Sequence, residues 1–510
     1  MELNSTNTLP EHIAANINPD VLPIAVAQHF LYVNKVSFGV EKPQVSFELH
    51  SPSWMIAETP FFITEKQADF VESDMPEGLD AFSMTAMHLM VKALFDDDPQ
   101  YTEVRSALFR NLQERERNYL ASLYMSAIRN GHQLMPMSMR PDVQVTKTEA
   151  GQVFKIIEVN GDGRADKGNT QAVAMYSELQ FGEKPLGRGL ANAFTESLTH
   201  NGHLTVATVL PDAYRTEYDA QNRFFADAAH LAADGKLNWI TVNIRDLIYQ
   251  EDGIYYRGED DLVRIDLIDR EFELPGFKQD HDFEPEKQIL SAHLEGKVGI
   301  IGSLLPFSDK YLFSLLFNNG FEQELTAVLG SRARLEEIRD MFAETMYVDA
   351  TVNPQAGMRK YKYFESLNYE DVLHKLHPLV LKRTGNIEQA TESKGVIISA
   401  DCDTRTWAAY VTRAFDEGGW VLQRFYPSVE QELAARESFR SVRQVNPMAK
   451  FRFAPYFVRD IADGLLKLGN ILVTGKIDHR QKKLRNSNLV HAQRGTAYQT
   501  GVVRNNGRMA

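Results

Sequence analysis

Between residues 204 and 303 the chain alternates short β-branched runs with one long amphipathic run, and this alternation constrains the fold more than any other feature. LTVATVL and NWITVNI are strands by their apolar, β-branched content. RFFADAAHLAADGK between them has helical spacing. GIYYRGEDDLVRIDLID carries two short strands and KVGIIGSLL another. Strands separated by a helix predict a parallel sheet, because parallel neighbours need a crossover connection.

Residues 1–150 read as a mainly helical region, with apolar residues at helical spacing over 81–95 and 102–128. Pro136 and Pro141 mark its boundary. VFKIIEV then reads as a buried strand that delivers the turn-rich NGDGRADKGN. Helices are expected to open at Lys310 and near Arg334. From 379 onward the strands LVLKRT, GVIISA, WVLQRFY, FRFAPYFVRD and GNILVTGKID surround one helix at 404–417 and predict an α+β lobe with an antiparallel sheet. The expected division is a helical region 1–150, a central α/β lobe 151–330 and a C-terminal lobe 331–510. No repeat or Gly/Ser linker separates them, so the lobes are expected to pack together.

The chain has 510 residues and a formal charge of −14, from 55 basic and 69 acidic side chains. Nucleic-acid binding of the non-specific kind needs clustered Lys and Arg and is not expected of it. The single cysteine, Cys402, excludes an internal disulfide framework and a Cys-rich zinc site. It suits a reducing compartment and reads as a structural thiol. The first residues lack a basic n-region and an apolar h-region, and runs such as 298–305 are too short to span a bilayer. The expectation is a soluble, cytoplasmic protein with no membrane partner.

Several residue groups can carry chemistry. Glu158 and Asn160 are two apart in a strand and so share a face, offering two hard oxygens of the kind magnesium takes. The following loop holds Asp162 and Arg164 between glycines, which let backbone approach a ligand. Lys310 stands at a helix start where Ser308 or Asp309 can cap. Lys382 stands inside the apolar strand LVLKRT, where an ammonium needs an anionic partner. The run WVLQRF, with Gln423, Arg424 and Phe425, can present a strand edge to a planar base. Arg485, Arg494 and Gly495 lie in a basic and Gly-containing stretch suited to an anion. Arg270 closes the strand-like LVRIDLID. Asn386 and Glu388 occupy a loop between two strands. Each group also has a plain reading as a strand end, a surface lysine or a core strand. No Walker loop, G-x-G-x-x-G after a strand, or H-E-x-x-H occurs. The scattered histidines, His88, His132, His374 and His377 among them, form no ligand pattern.

The order of these pieces resembles the glutathione synthetase and glutathionylspermidine synthetase branch of the ATP-grasp superfamily, over roughly 150–503. The resemblance implies an ATP-grasp fold, α/β and α+β, whose C-terminal lobe carries lid loops at 385–394 and 486–497. Glu158 and Asn160 resemble the family's magnesium ligands, with either Glu388 or Asn386 of the 385–394 loop as the third, Glu388 being the one favoured. Lys310 and Lys382 resemble its two ATP lysines, and Gln423–Phe425 its adenine hinge. Arg485 resembles the arginine that holds a substrate carboxylate, and Arg270 an arginine ending a central strand. Gly495 stands where the family has a stretch near the substrate, and Asp162, Arg164 and Arg494 are taken from the residue reading above as the further substrate-binding candidates. The chain departs from the pattern at Arg383, where the family has proline, in the 385–394 loop, and at 485–487, where one nucleotide-contacting lysine is missing and Lys476 or Lys483 could replace it.

The implied activity is an ADP-forming ligase. It uses ATP and Mg²⁺ to join a small-molecule carboxylate and amine through an acyl phosphate. A nucleotide-binding protein of this fold without catalysis, and a phosphotransferase on a non-carboxylate acceptor, are the alternatives. A homodimer is compatible with the sequence.

Overall fold

The computed structural model describes residues 54–56, 61–110, 114–129, 135–148, 151–161, 167–168, 170–171, 173–174, 185–199, 202–210, 212–258, 261–270, 283–302, 307–350, 352–385, 395–432, 435–436, 444–445, 448–476 and 496–503.

Two short strands, β1 (Trp54–Ile56) and β2 (Phe61–Ile63), precede the helices. α1 (Glu65–Asp69) passes through a π-turn (Phe70–Asp74) into α2 (Met75–Phe95). Thr64 starts this run with a capping box: its hydroxyl accepts the Gln67 N–H while the Gln67 side chain accepts the Thr64 N–H. α3 (Thr102–Phe109) and α4 (Glu114–Arg129) follow. The expected helical region ends there. β3 (Ser138–Thr148) and β4 (Gly151–Asn160) pair antiparallel along their length. Pro141 is therefore inside a strand and not at a boundary. It sits where the ladder between β3 and a later strand is interrupted, so its missing N–H leaves no bond unmade.

The central segment runs α5 (Leu190–Leu198), β5 (Leu204–Leu210), α6 (Asp212–Ala232) and β6 (Leu237–Asn243). A three-stranded excursion β7 (Ile248–Gln250), β8 (Gly253–Arg257), β9 (Leu262–Ile265) leads to β10 (Leu267–Arg270), α7 (Phe283–Leu294) and β11 (Gly299–Ile301). The sheet order is β11-β10-β5-β6, with every pairing parallel. This is the layer that the strand–helix alternation predicts. Phe194 of α5 and Phe225 of α6 pack edge-on against Trp239 of β6 on one face. Ile289 and Ala292 of α7 cover the other. β6 is added on one side of β5 and β10 on the other, so the carboxyl ends of β5 and β10 flank a topological switch point.

The chain then builds α8 (Tyr311–Phe317), α9 (Glu322–Leu329), α10 (Arg332–Met341), β12 (Thr345–Val348), α11 (Pro354–Arg359), α12 (Tyr369–Leu373), β13 (Leu379–Arg383), β14 (Val396–Ile398), α13 (Thr404–Glu417) and β15 (Trp420–Arg424). These strands form an antiparallel sheet in the order β12-β15-β13-β14. Asp403 caps α13 by accepting the Thr406 N–H, and Trp407, Val411, Ala414 and Phe415 are its buried stripe.

After β16 (Glu430–Glu432), β17 (Ala435–Arg436) and β18 (Gln444–Val445) come the long strands β19 (Met448–Arg459) and β20 (Leu466–Lys476), then β21 (Thr496–Val503). The strands beyond 379 do not share one sheet, as their sequence texture suggests. β19 pairs with β3, and β21 pairs in parallel with β1 and β2, so the last strands join the N-terminal hairpin in a sheet ordered β1-β21-β20-β19-β3-β4. Strand texture marks which residues are extended, and pairing partners are decided by which faces must be buried together.

One apolar cluster joins α2 to both antiparallel sheets, with Phe82, Phe313 and Phe342 in mutual ring contact. The result is a mixed helix-and-sheet fold with one parallel four-stranded sheet, one antiparallel four-stranded sheet and a larger, mostly antiparallel sheet among the described residues. No helix among the described residues is long and apolar enough to cross a membrane.

Candidate nucleotide and metal site

The site begins with a defect in a strand. In the β3–β4 ladder Asp142 pairs with Glu158 but Val143 pairs with Ile156, which leaves Ile157 as the extra residue of a bulge. The Ile157 carbonyl accepts a hydrogen bond from Lys382 Nζ at 2.7 Å. Gln423 Nε2 reaches the same oxygen at 3.4 Å and donates to the Thr345 hydroxyl at 2.8 Å. Lys382 lies on β13 opposite Val421 of β15; Gln423, two residues further along β15 and so on the same face, lies opposite Val380, with Thr345 opposite Gln423 on β12. Three neighbouring strands of one sheet thus converge on the bulge of another.

Glu158 and Asn160 project from β4 just past the bulge. Glu158 Oε1 lies 3.1 Å from Lys310 Nζ, with side-chain exposures of 25% and 12%. Asn160 is buried and its amide nitrogen donates to the Arg140 carbonyl at 3.2 Å. That engages its nitrogen and leaves the oxygen as the atom suited to a cation. The backbone of Gly161 is drawn in because a Cβ there would stand 2.6 Å from Phe307 Cβ. Its N–H donates to the Ser308 hydroxyl at 3.2 Å.

Asp309 links the same region to β13. Its carboxylate accepts the N–H of Tyr311 at 2.9 Å and of Gly385 at 3.3 Å. Gly385 has φ 85°, a conformation that favours glycine. Asp309 is thus the residue whose side chain holds the start of α8, while Ser308 serves Gly161. Burial pushes the Asp309 carboxyl up, against the pull of those N–H groups and of Lys310. Lys382 is buried, and burial together with Lys310 pushes it down to about 8, with Glu158 and Asp142 opposing. Behind Glu158, Asp142 is held by Arg452 of β19 at 2.8 Å.

The structure therefore brings together Glu158, Asn160, Lys310, Lys382 and Gln423. Arg424 and Phe425 continue β15, but not at an open strand edge. β15 lies between β12 and β13. The Arg424 N–H donates to the Glu344 carbonyl and the Phe425 N–H to the Pro378 carbonyl, each at 2.8 Å. The expectation of an open strand edge at this run is corrected, because β15 is flanked on both sides and these two N–H groups are taken. The Arg424 guanidinium stands over the rings of Tyr363 and Tyr426 and pairs with Glu344 at 3.1 Å. Arg383 is turned to the Trp420 ring and to Glu417, away from Lys382.

Arg270 is not on this sheet. It ends β10, 2% exposed, within electrostatic reach of Tyr119 and Tyr124. Beside it, Lys167 and Asp269 form a buried pair at 2.5 Å, with the Thr208 hydroxyl donating to Asp269 and Trp239 Nε1 donating to Thr208. Asp162, Arg164, Glu388, Arg485, Arg494 and Gly495 lie outside the described residues.

Three of these participants had little or no mark in the sequence. The Ile157 carbonyl is a backbone atom exposed by register. Thr345 opens a short strand with no polar pattern. Lys167 lies in a polar stretch, ADKGN, that gives no hint of burial, whereas Lys382 announced itself by its apolar flanks.

The described residues hold no group of three or more His, Cys, Asp or Glu placed for a metal ion. Glu158 and Asn160 still fit magnesium chemically as two oxygen donors beside lysines that suit phosphate. A cation at Glu158 would displace the Lys310 ammonium.

The chain matches no family model and no curated protein. It is similar in fold to the solved apo structure of a glutathione synthetase-like effector, GSS30, from Globodera pallida. The TM-score is 0.50 at 11% identity, over 96% of this chain and 100% of that one. At this identity the likeness concerns the fold, which is glutathione synthetase-like.

Proposed function

We propose that the chain is an ATP-grasp ligase that forms ADP while joining a carboxylate to an amine. The observation that carries this reading is the convergence of Lys310, Lys382 and Gln423 on the Glu158–Asn160 strand end, from segments more than 260 residues apart in sequence at the extremes. A bound magnesium nucleotide supplies the phosphoryl group that turns the carboxylate into an acyl phosphate open to attack by the amine. Glu158 and Asn160 would hold the metal, with Glu388 as the proposed third ligand. The two lysines offset phosphate charge, and Lys382 is oriented for this by the Ile157 carbonyl. Such catalysis rests on positioning and fixed charge. Gln423 to Phe425 would meet the base through carbonyls and ring faces, since the two N–H groups are engaged. Arg270 and Arg485 are proposed to hold substrate carboxylate, with Asp162, Arg164, Arg494 and Gly495 nearby in role.

Lys382→Ala and Glu158→Gln should each lower ADP release at least about 100-fold, as loss of one preorganised charge commonly does. The assay is ADP formation across a panel of carboxylates and amines, with Mg-ATP binding followed by thermal shift. Unchanged ADP release in both variants sinks the ligase reading. A second reading, a nucleotide-binding protein without catalysis, is favoured by the engaged hinge and the Glu158–Lys310 pair. It predicts Mg-ATP binding with no ADP from any member of the panel. A phosphotransferase would instead leave a stable phosphorylated product.

A further inference from the structure

Consecutive side chains ahead of α8 tie the segments of the proposed site together. Ser308 accepts the N–H of Gly161, which follows Glu158 and Asn160. Lys310 reaches back to Glu158 at 3.1 Å. Between them Asp309, 6% exposed, turns one carboxylate oxygen, Oδ1, to two backbone N–H groups. One belongs to Tyr311, beside Lys310, and the other to Gly385, just past the strand that carries Lys382.

These contacts close a ring. From β4 it runs through the Ile157 carbonyl to Lys382, along β13 to Gly385, across to Asp309 and Lys310, and back to Glu158 on β4. Each lysine thus has a tie to β4, and Asp309 ties the segments that carry them directly to each other. A ligand acts differently on these ties. A cation at Glu158 takes the carboxylate that Lys310 pairs with, and that link opens. The Asp309 bonds go to backbone N–H groups and compete with neither cation nor phosphate.

We infer that Asp309 is a positioning residue, which keeps Lys310 and Lys382 at one separation once a cation has drawn Glu158 away. The inference rests on the proposed nucleotide site and deepens it. Asp309 acts through geometry: it must present an oxygen acceptor at the Oδ1 position, and its charge is not required. Charges placed around a phosphate are most effective when they are held before the ligand arrives.

The test is calorimetric titration of the full chain with Mg-ATP and with magnesium triphosphate, which lacks base and sugar. Asp309→Ala should weaken both ligands at least about tenfold. Asp309→Asn keeps an oxygen able to accept both N–H groups and should bind within about twofold of the wild type. Lys310→Ala and the double variant Lys310→Ala/Asp309→Ala should bind alike, because Asp309 acts through the placement of Lys310. Equal binding by the wild type and Asp309→Ala overturns the inference and leaves the nucleotide reading standing. A loss in Asp309→Asn of about tenfold or more also overturns it, since charge is then what matters; this near-isosteric variant decides the point even where the alanine variant unfolds. Additive losses in the double variant overturn it as well. Binding of magnesium triphosphate but not Mg-ATP by the wild type, with the expected order of variants, overturns the nucleotide reading and supports the inference. A wild type that binds neither overturns both.

Discussion

The parallel sheet and the β12–β15 sheet both bury charged side chains, and they treat them in opposite ways. In the parallel sheet Lys167 and Asp269, with 1% and 0% exposure, neutralise each other at 2.5 Å, and Thr208 and Trp239 extend the network. In the antiparallel sheet Lys382, among the described residues, meets a neutral carbonyl directly, while Glu158, which would neutralise it, is drawn to Lys310. The first arrangement is complete in itself. The second keeps a buried ammonium short of a full counter-charge, which depresses it and favours an arriving anion. Charge sealed in pairs supports the fold, and charge held short of pairing supports binding.

Removing one partner of the sealed pair should have the largest effect on stability. Lys167→Ala should cost on the order of 3–5 kcal/mol, because it leaves Asp269 buried and uncompensated. Replacing both with Lys167→Met and Asp269→Leu should recover most of that loss. Denaturant unfolding of the three variants reads this directly, and equal losses in single and double variants would break the comparison.

Lys382→Met should go the other way and stabilise by up to about 3 kcal/mol at pH 7, while removing nucleotide binding. The sign follows from a folded-state pKa depressed to about 8. Between there and the ordinary lysine range the unfolded chain binds more protons than the native one, so wild-type stability rises with pH across that window. Below it the native state carries the full cost of burying the ammonium. The advantage of Lys382→Met should therefore shrink as pH rises from about 8. A constant advantage from pH 7 to above 10 would show that Lys382 is not held in a depressed state.

Gln423→Ala should cost about 1–3 kcal/mol by leaving buried polar partners unmet, and it should disturb Lys382 by freeing the Ile157 carbonyl. Thermal unfolding with and without Mg-ATP separates the two effects. The smallest change is expected at Glu344→Gln, since Arg424 is 40% exposed and solvent screens the pair. About 1 kcal/mol or less should be lost there.

Much of the fold was legible. Local patterns marked the strands β5, β6 and β11 and the second half of α6, and the parallel sheet follows from their alternation by chain connectivity; α7 and β7 were not read, and the segment read as two short strands holds three, β8, β9 and β10. The strand reading of VFKIIEV and the helix at 404–417 rest on the same local signals. The strands beyond 379 were visible as strands but not as members of two sheets, because β19 chooses β3 from more than 300 residues away. Pro141 looked like a boundary because a missing N–H is local, while the gap in the ladder that tolerates it is not.

The candidate site divides along the same line. The sequence by itself determined that Lys382 is a lysine among apolar residues, that Glu158 and Asn160 share a strand face, and that Lys310 precedes a helix. Those facts depend on neighbours within a few positions. Tertiary structure alone decided that Ile157 is extruded from its ladder, that Lys382 and Gln423 share its carbonyl, that Glu158 pairs with Lys310, and that the β15 N–H groups are taken on both sides. Register and strand order set each of these, and both follow from burying whole faces together, a property no single segment contains.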